Sequence, residues 1–231
     1  MDNSIQIIIF VLIGLSSISS LLYLILEFQE ISLLKSTLKN ITGKTKIDSK
    51  EDLIKIKKFL SSTIKYDVLK KHKKRPLFRH AASHILKSKY GFCGENARVA
   101  IKLFILGKIK ARRIYLFRKE WQHVLIEHQF NDKWYMFDGH YDPKTVLEDN
   151  KVATILSENI NEFPNQYPDN PYLDFCRLKL FQKINFLKPL SKIKLPMFFA
   201  YVAESPYLIK AILLFTISIL LIVSSLIFLH P

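Results

Sequence analysis

Two apolar runs, one near each end of a 231-residue chain, constrain its fold more than any other feature. From Asn3 to Leu26 there is no charged residue, and Ile7 to Val11, Leu21, Leu22 and Leu24 to Leu26 make the stretch strongly apolar. At about 1.5 Å rise per residue, such a helix crosses a hydrocarbon core of about 30 Å. A second uncharged run extends from Ala211 to Leu229, with Tyr207 just before it at interface depth. Neither run has a polar face recurring at helical spacing, as a buried helix of a soluble core would. The first run also lacks the basic start and short apolar region of a cleaved leader, since it opens Met1-Asp2 and stays apolar past residue 20. Two membrane spans are therefore expected, at 1–28 and 207–231.

Charge is distributed differently. The formal net charge is +15, yet every Lys and Arg except Lys210 lies within 29–206. Lys35, Lys39, Lys44 and Lys46 follow the first run, and Lys192, Lys194 and Lys210 flank the second. The positive-inside rule then predicts a cytoplasmic middle with both termini outside. A 49% hydrophobic content excludes disorder, and two cysteines exclude a disulfide framework. Residues 44–119 hold 23 bases and 5 acids, whereas 120–206 hold 9 and 12, which makes the front half the electropositive one. Within it, Lys70-Lys71-His72-Lys73-Lys74-Arg75, closed by Pro76, reads as a solvated loop or as a contact for anionic lipid headgroups. No aromatic interleaving accompanies that run, so nucleic acid is not an expected partner.

Between the spans the sequence predicts a basic linker at 29–50, a folded domain at 51–160, and a Pro/Asn-rich loop with an interfacial segment at 161–206. Leu53, Ile56, Leu60 and Ile64 recur at helical spacing over 51–65, with Ser49 as the cap. Further helices are expected over 81–88 and from Cys93 to the terminator Gly107. Arg112 to Arg118, Trp121 to Phe130 and Trp134 to Asp138 read as strands, the last two separated by the turn residues Asn131, Asp132 and Lys133. Pro164, Pro168, Asn170 and Pro171 mark a long loop, after which Phe175 to Leu187 mixes Leu and Phe with Lys and Arg as an interfacial helix would.

Three segments concentrate reactive side chains: Gly91-Phe92-Cys93-Gly94-Glu95-Asn96-Ala97, Gln122-His123-Val124-Leu125-Ile126-Glu127, and Trp134-Tyr135-Met136-Phe137-Asp138. Cys93 sits where loop becomes helix, so backbone N–H groups and the helix dipole favour its thiolate. Cys93, Ala97, Ala100, Ile101 and Phe104 fall on one helix face, and the two alanines let a sheet approach closely. His123 begins a strand that can bring a base to the sulfur. If Asn131-Asp132 or Asp132-Lys133 forms a two-residue hairpin loop, Asp138 shares a face with His123; an odd-length loop puts it on the other face. With the shared face, His takes the thiol proton and Asp orients the imidazole.

The order Cys, His, Asp, with a small-residue helix after Cys, a His-led strand and a Trp-containing strand ending in Asp, resembles the transglutaminase-like cysteine superfamily. The Cys93-Gly94-Glu95 and Ala97 pattern is similar to its bacterial members and its peptide N-glycanase branch in particular. The resemblance implies an α+β, papain-related core, a Cys-bearing helix packed on an antiparallel sheet, here set between two transmembrane helices. It also implies Cys93 as nucleophile, His123 as base and Asp138 as orienter, acting on an amide- or peptide-containing substrate without cofactor or metal. His123 is followed by Val124 and Leu125 rather than by the aromatic common two residues after the family's His, and no paired Cys-x-x-Cys zinc sites are present. Asp142, before Pro143, reads as a turn residue; His80, His84, His128 and His140 as packing or surface histidines; Cys176 as structural; and Glu95 as support for the helix start. The competing expectation is a non-catalytic binding or scaffolding module of the same fold at the membrane surface.

Overall fold

The computed structural model of the chain describes residues 3–66, 80–117, 122–139, 155–156 and 174–229. The apolar N-terminal run forms α1 (Asn3–Thr42), and the C-terminal one forms α7 (Pro206–Leu229). Both are long and apolar enough to cross a membrane. They pack side by side through serines that suit an apolar medium: Ser16 and Ser218 hydroxyls lie 2.6 Å apart, and Ser20 donates to the Ala211 carbonyl at 2.9 Å. At one end of this pair the Tyr23 and Tyr207 rings stack, and the Lys210 ammonium lies 5.0 Å from the Tyr23 ring centroid. α1 does not stop there. The stretch expected as a linker from residue 29 is helical as far as Thr42, because Leu34 and Leu38 are buried in the core of the folded region.

α2 (Lys50–Thr63) starts at the expected cap, where Ser49 Oγ accepts from Asp52 N–H and Asp52 Oδ2 accepts from Ser49 N–H. β1 (Lys65–Tyr66) pairs in parallel with β2 (Tyr90–Gly91), and α3 (Ala82–Ser88) lies between them in sequence. α4 (Cys93–Leu106) ends at Gly107. Next come β3 (Ala111–Phe117), β4 (Gln122–Phe130) and β5 (Lys133–Phe137), then the short β6 (Ile155–Leu156) and β7 (Asp174–Cys176). These five make one antiparallel sheet, ordered β6-β5-β4-β3-β7. Asn131 and Asp132 both adopt left-handed φ, 48° and 60°, and form a two-residue loop that pairs Phe130 with Lys133.

α4 covers one face of the sheet. Ala97, Ala100, Ile101 and Phe104 share a core with Ala111, Ile126, Phe130 and Phe137, together with Ile56 and Leu60 of α2. On the opposite face Ile114, Leu116, Leu125, Met136 and Phe175 form a smaller cluster. The stretch expected as one interfacial helix from Phe175 divides. Phe175 and Cys176 are buried in β7, where they pair with Leu116 and Tyr115, and only then follow α5 (Lys179–Gln182) and a 3-10 helix (Asn185–Lys192). α6 (Met197–Ala203) leads directly into α7. The architecture is thus a mixed α+β fold, helix on antiparallel sheet, with an apolar helix at each end.

Candidate active site

Cys93 is the first residue of α4, and the start of that helix is held by a side chain of its own first turn. Glu95, 4% exposed, accepts the Phe92 N–H at 2.9 Å, which also places a carboxylate at the positive end of the helix dipole. From the sheet, Arg113 donates to the Gly94 carbonyl at 2.7 Å. The cysteine side chain is half-buried.

The sulfur meets the sheet where β5 ends. In β4 the odd-numbered residues bond toward β3, as Gln129 N–H does to Lys110, so even-numbered Val124 directs its N–H toward β5. Extending the β4–β5 register beyond Phe137 would pair Val124 with Gly139, but the strand has ended. The Val124 N–H is bonded instead by the Cys93 sulfur, which also hydrogen-bonds the His123 side chain. The other side of that imidazole faces Asp138, with Nε2 and Oδ2 2.5 Å apart. His123 is 5% exposed and Asp138 4%. The structure therefore brings Cys93, His123 and Asp138 into one contact chain.

Electrostatics follow from this geometry. Burial alone would lower the His123 pKa, but Asp138 and the sulfur outweigh it and raise it to about 10. Burial pushes the Cys93 thiol up, yet the hydrogen bond and charge of His123 and the Val124 N–H bring it below its ordinary value. Both shifts favour a thiolate–imidazolium pair at neutral pH. A histidine raised in the folded state contributes stability that is fully present below about pH 6.5 and lost as pH rises through about 10. Cys176 contrasts with Cys93: it is fully buried, and burial pushes its thiol up to about 11.

Three neighbours escape a reading by sequence alone. Lys57 of α2 donates to the Asp138 carbonyl and ties that residue to the helical layer. Asn96, one turn after Cys93, is 1% exposed, and its amide has no hydrogen-bond partner among the described residues. It presses on Gly139, where an added Cβ would stand 1.7 Å from Asn96 Oδ1. A glycine directly after a candidate site residue is the one sequence signal that pointed to this close approach. Gly139→Ala is accordingly expected to cost about 1–3 kcal/mol through overpacking and to displace Asp138. Asn96→Ala in the same chain should recover most of that loss. Thermal melting of the two single variants and the double variant checks the coupling.

The other described histidines stand apart from this contact chain. His128 is fully buried beside Phe104, and burial lowers its pKa to about 3, so it is a neutral core residue. His80 and His84 stack with centroids 4.6 Å apart. No cluster of three or more His, Cys, Asp or Glu side chains is placed to hold a metal among the described residues. Asp142, His140 and the Lys70–Arg75 run lie outside the described residues.

Residues 35–139 match the family model of the transglutaminase-like superfamily. They form a transglutaminase-like domain. The match begins within α1 and ends at Gly139, so it contains all three residues of the contact chain. This superfamily is one in which cysteine-based enzymes are common. Among solved structures, the chain is similar to a candidate cysteine protease from Cytophaga hutchinsonii, at 16% identity and a TM-score of 0.40, over 55% of this chain and 42% of that one. It is also similar to a TGase, at 12% identity and a TM-score of 0.39, over 55% of this chain and 34% of that one. The chain thus spans less than half the length of either structure. No curated protein matches it.

Proposed function

We propose that the chain is a membrane-anchored thiol enzyme that hydrolyses or transfers an amide-type acyl group, with Cys93 as nucleophile, His123 as acid and base, and Asp138 as orienter. The observation that carries this reading is the Cys93–His123–Asp138 contact chain, with the thiol lowered and the imidazole raised. The Cys93 thiolate attacks the amide carbonyl and forms a C–S bond. The tetrahedral intermediate then collapses as His123 gives its proton to the leaving amine. Water, deprotonated by His123, releases the acid; an amine in its place completes a transfer. The first N–H groups of a helix have no intrahelical acceptor, so those of Cys93 and Gly94 supply donors for the oxyanion. α1 and α7 anchor the domain as two membrane spans, and the flanking lysines orient it toward the cytoplasm.

The pH dependence of alkylation tests the pair. With the thiol lowered and His123 protonated to about pH 10, the rate of reaction of Cys93 with a neutral haloacetamide should fall less steeply from pH 9 toward pH 6 than that of an ordinary thiol. An ordinary thiol loses about tenfold in thiolate per pH unit below its pKa. His123→Ala should restore that steep slope. A steep slope in the unaltered chain would contradict the ion pair.

A further inference from the structure

A cavity lies away from the sulfur, lined in part by the arginine that holds Gly94. β7 pairs with β3 only over Tyr115 to Phe117, so the edge of β3 nearer its start is left uncovered. There a pocket of about 300 Å³ opens between the sheet edge and α6. Four guanidinium groups line it, from Arg98, Arg112, Arg113 and Arg177. Only two carboxylates answer them among the described residues. Glu204 pairs with Arg98 and Arg113, and Glu127 pairs with Arg112 and Arg177. Arg112 and Arg113 are more than nine-tenths buried, yet Nη2 of the first and Nη1 of the second have no hydrogen-bond partner among the described residues. A buried guanidinium N–H left unpaired is costly, and an anion reaching these two groups would satisfy both charge and hydrogen bonding.

The rest of the wall says what kind of anion. Leu178, Leu195, Phe199 and Ile209 complete the lining, and Ile209 belongs to the first turn of α7, level with the Tyr23–Tyr207 stack. Phe198 and Phe199 of α6 are 66% and 54% exposed, and Leu190 and Ile193 just before them are exposed as well. A cavity with arginines at its inner end and an apolar, outward-facing rim continuous with an apolar helix matches an amphiphile, head inward and chains along the helix. Guanidinium forks match phosphate oxygens in geometry as well as charge.

We infer that this pocket binds the phosphate headgroup of an anionic lipid drawn from the bilayer around α7. The inference concerns a site separate from Cys93 and stands whether or not the thiol chemistry does.

Native mass spectrometry of the full chain, purified in detergent and given equimolar phosphatidylglycerol and phosphatidylcholine, tests it. The unaltered chain should retain one phosphatidylglycerol in preference to phosphatidylcholine by about tenfold, the scale of charge-assisted hydrogen bonds. Ala203→Trp fills the pocket from an exposed position on α6 without removing any ion pair, and should abolish that preference at an unchanged melting temperature. Phe199→Glu, also at an exposed position, sets a carboxylate at the rim and should do the same if the tryptophan variant fails to fold. Equal retention of the two lipids by the unaltered chain, or undiminished preference in a folded pocket variant, overturns the inference. Displacement of the lipid by inorganic phosphate at matched concentration overturns the lipid source and assigns the pocket to a soluble anion.

Discussion

Replacing Cys93 with alanine is expected to remove all labelling of the full chain by an iodoacetamide-type probe and to lower any amide hydrolysis or acyl transfer by about 10⁴-fold or more, the scale on which loss of a nucleophile acts. The labelling arm is unusually clean because the chain has only one other cysteine. Cys176 is fully buried in β7 with its thiol pushed up to about 11, so it has neither the access nor the thiolate fraction to react. Cys93 is half-buried, bonded to an imidazole and a backbone N–H, and lowered. Peptide mapping of the labelled chain should therefore find the adduct on Cys93 alone. Equal labelling of Cys93→Ala would end the nucleophile assignment. If labelling vanishes in the variant but a biological readout is unchanged, the non-catalytic binding module is the better reading.

The line from sequence to site ran through local rules where the relevant contacts are local. Ser49 and Asp52 announce the start of α2, and Gly107 announces the end of α4, because caps are satisfied within a few residues. The side-chain parity of Asp138 depended on a loop length that the sequence left open. Left-handed φ at Asn131 and Asp132 settles it, since both residue types tolerate that conformation. What the sequence concealed is of two kinds. Edge strands of two or three residues, β6 and β7, carry too little pattern to be seen before their partners are known. Buried ion pairs are the other kind. Arg98, Lys102, Arg112 and Arg113 all belong to the electropositive front half read from composition, yet none faces solvent. Their partners Glu27, Glu30 and Glu204 lie in or beside the apolar terminal helices, 72 or more residues away for every pair except Arg112–Glu127. Counting bases along the chain measures charge, and only the fold decides how much of it reaches the surface.

Lys102→Met is expected to destabilise the protein by about 3–5 kcal/mol, the cost of leaving buried charge without its partner. Lys102 lies on α4, about two and a half turns after Cys93, and is fully buried. Its ammonium donates to Glu27 at 2.9 Å and to Glu30, both on α1 and both nearly inaccessible. Tyr201 of α6 donates to Glu27 at 2.7 Å, and Ser83 of α3 donates to Glu30 through both its hydroxyl and its backbone N–H. One lysine thus joins the Cys93 helix to the apolar helix α1, and through these carboxylates to α3 and α6. Removing it leaves two carboxylates in a space that one cation had served. Their uncompensated charge then repels and draws in water, which loosens the seat of α4 on α1. Glu27→Gln with Glu30→Gln in the Lys102→Met chain should recover most of the loss, because neutral amides keep the shape and shed the uncompensated charge. Thermal melting in detergent measures both steps. The alkylation rate of Cys93 in the same samples shows whether α4 must be seated on α1 for the thiolate–imidazolium pair to form. A Lys102→Met chain that melts within about 0.5 kcal/mol of the original would show that the cluster carries no net stability, as exposed ion pairs do not.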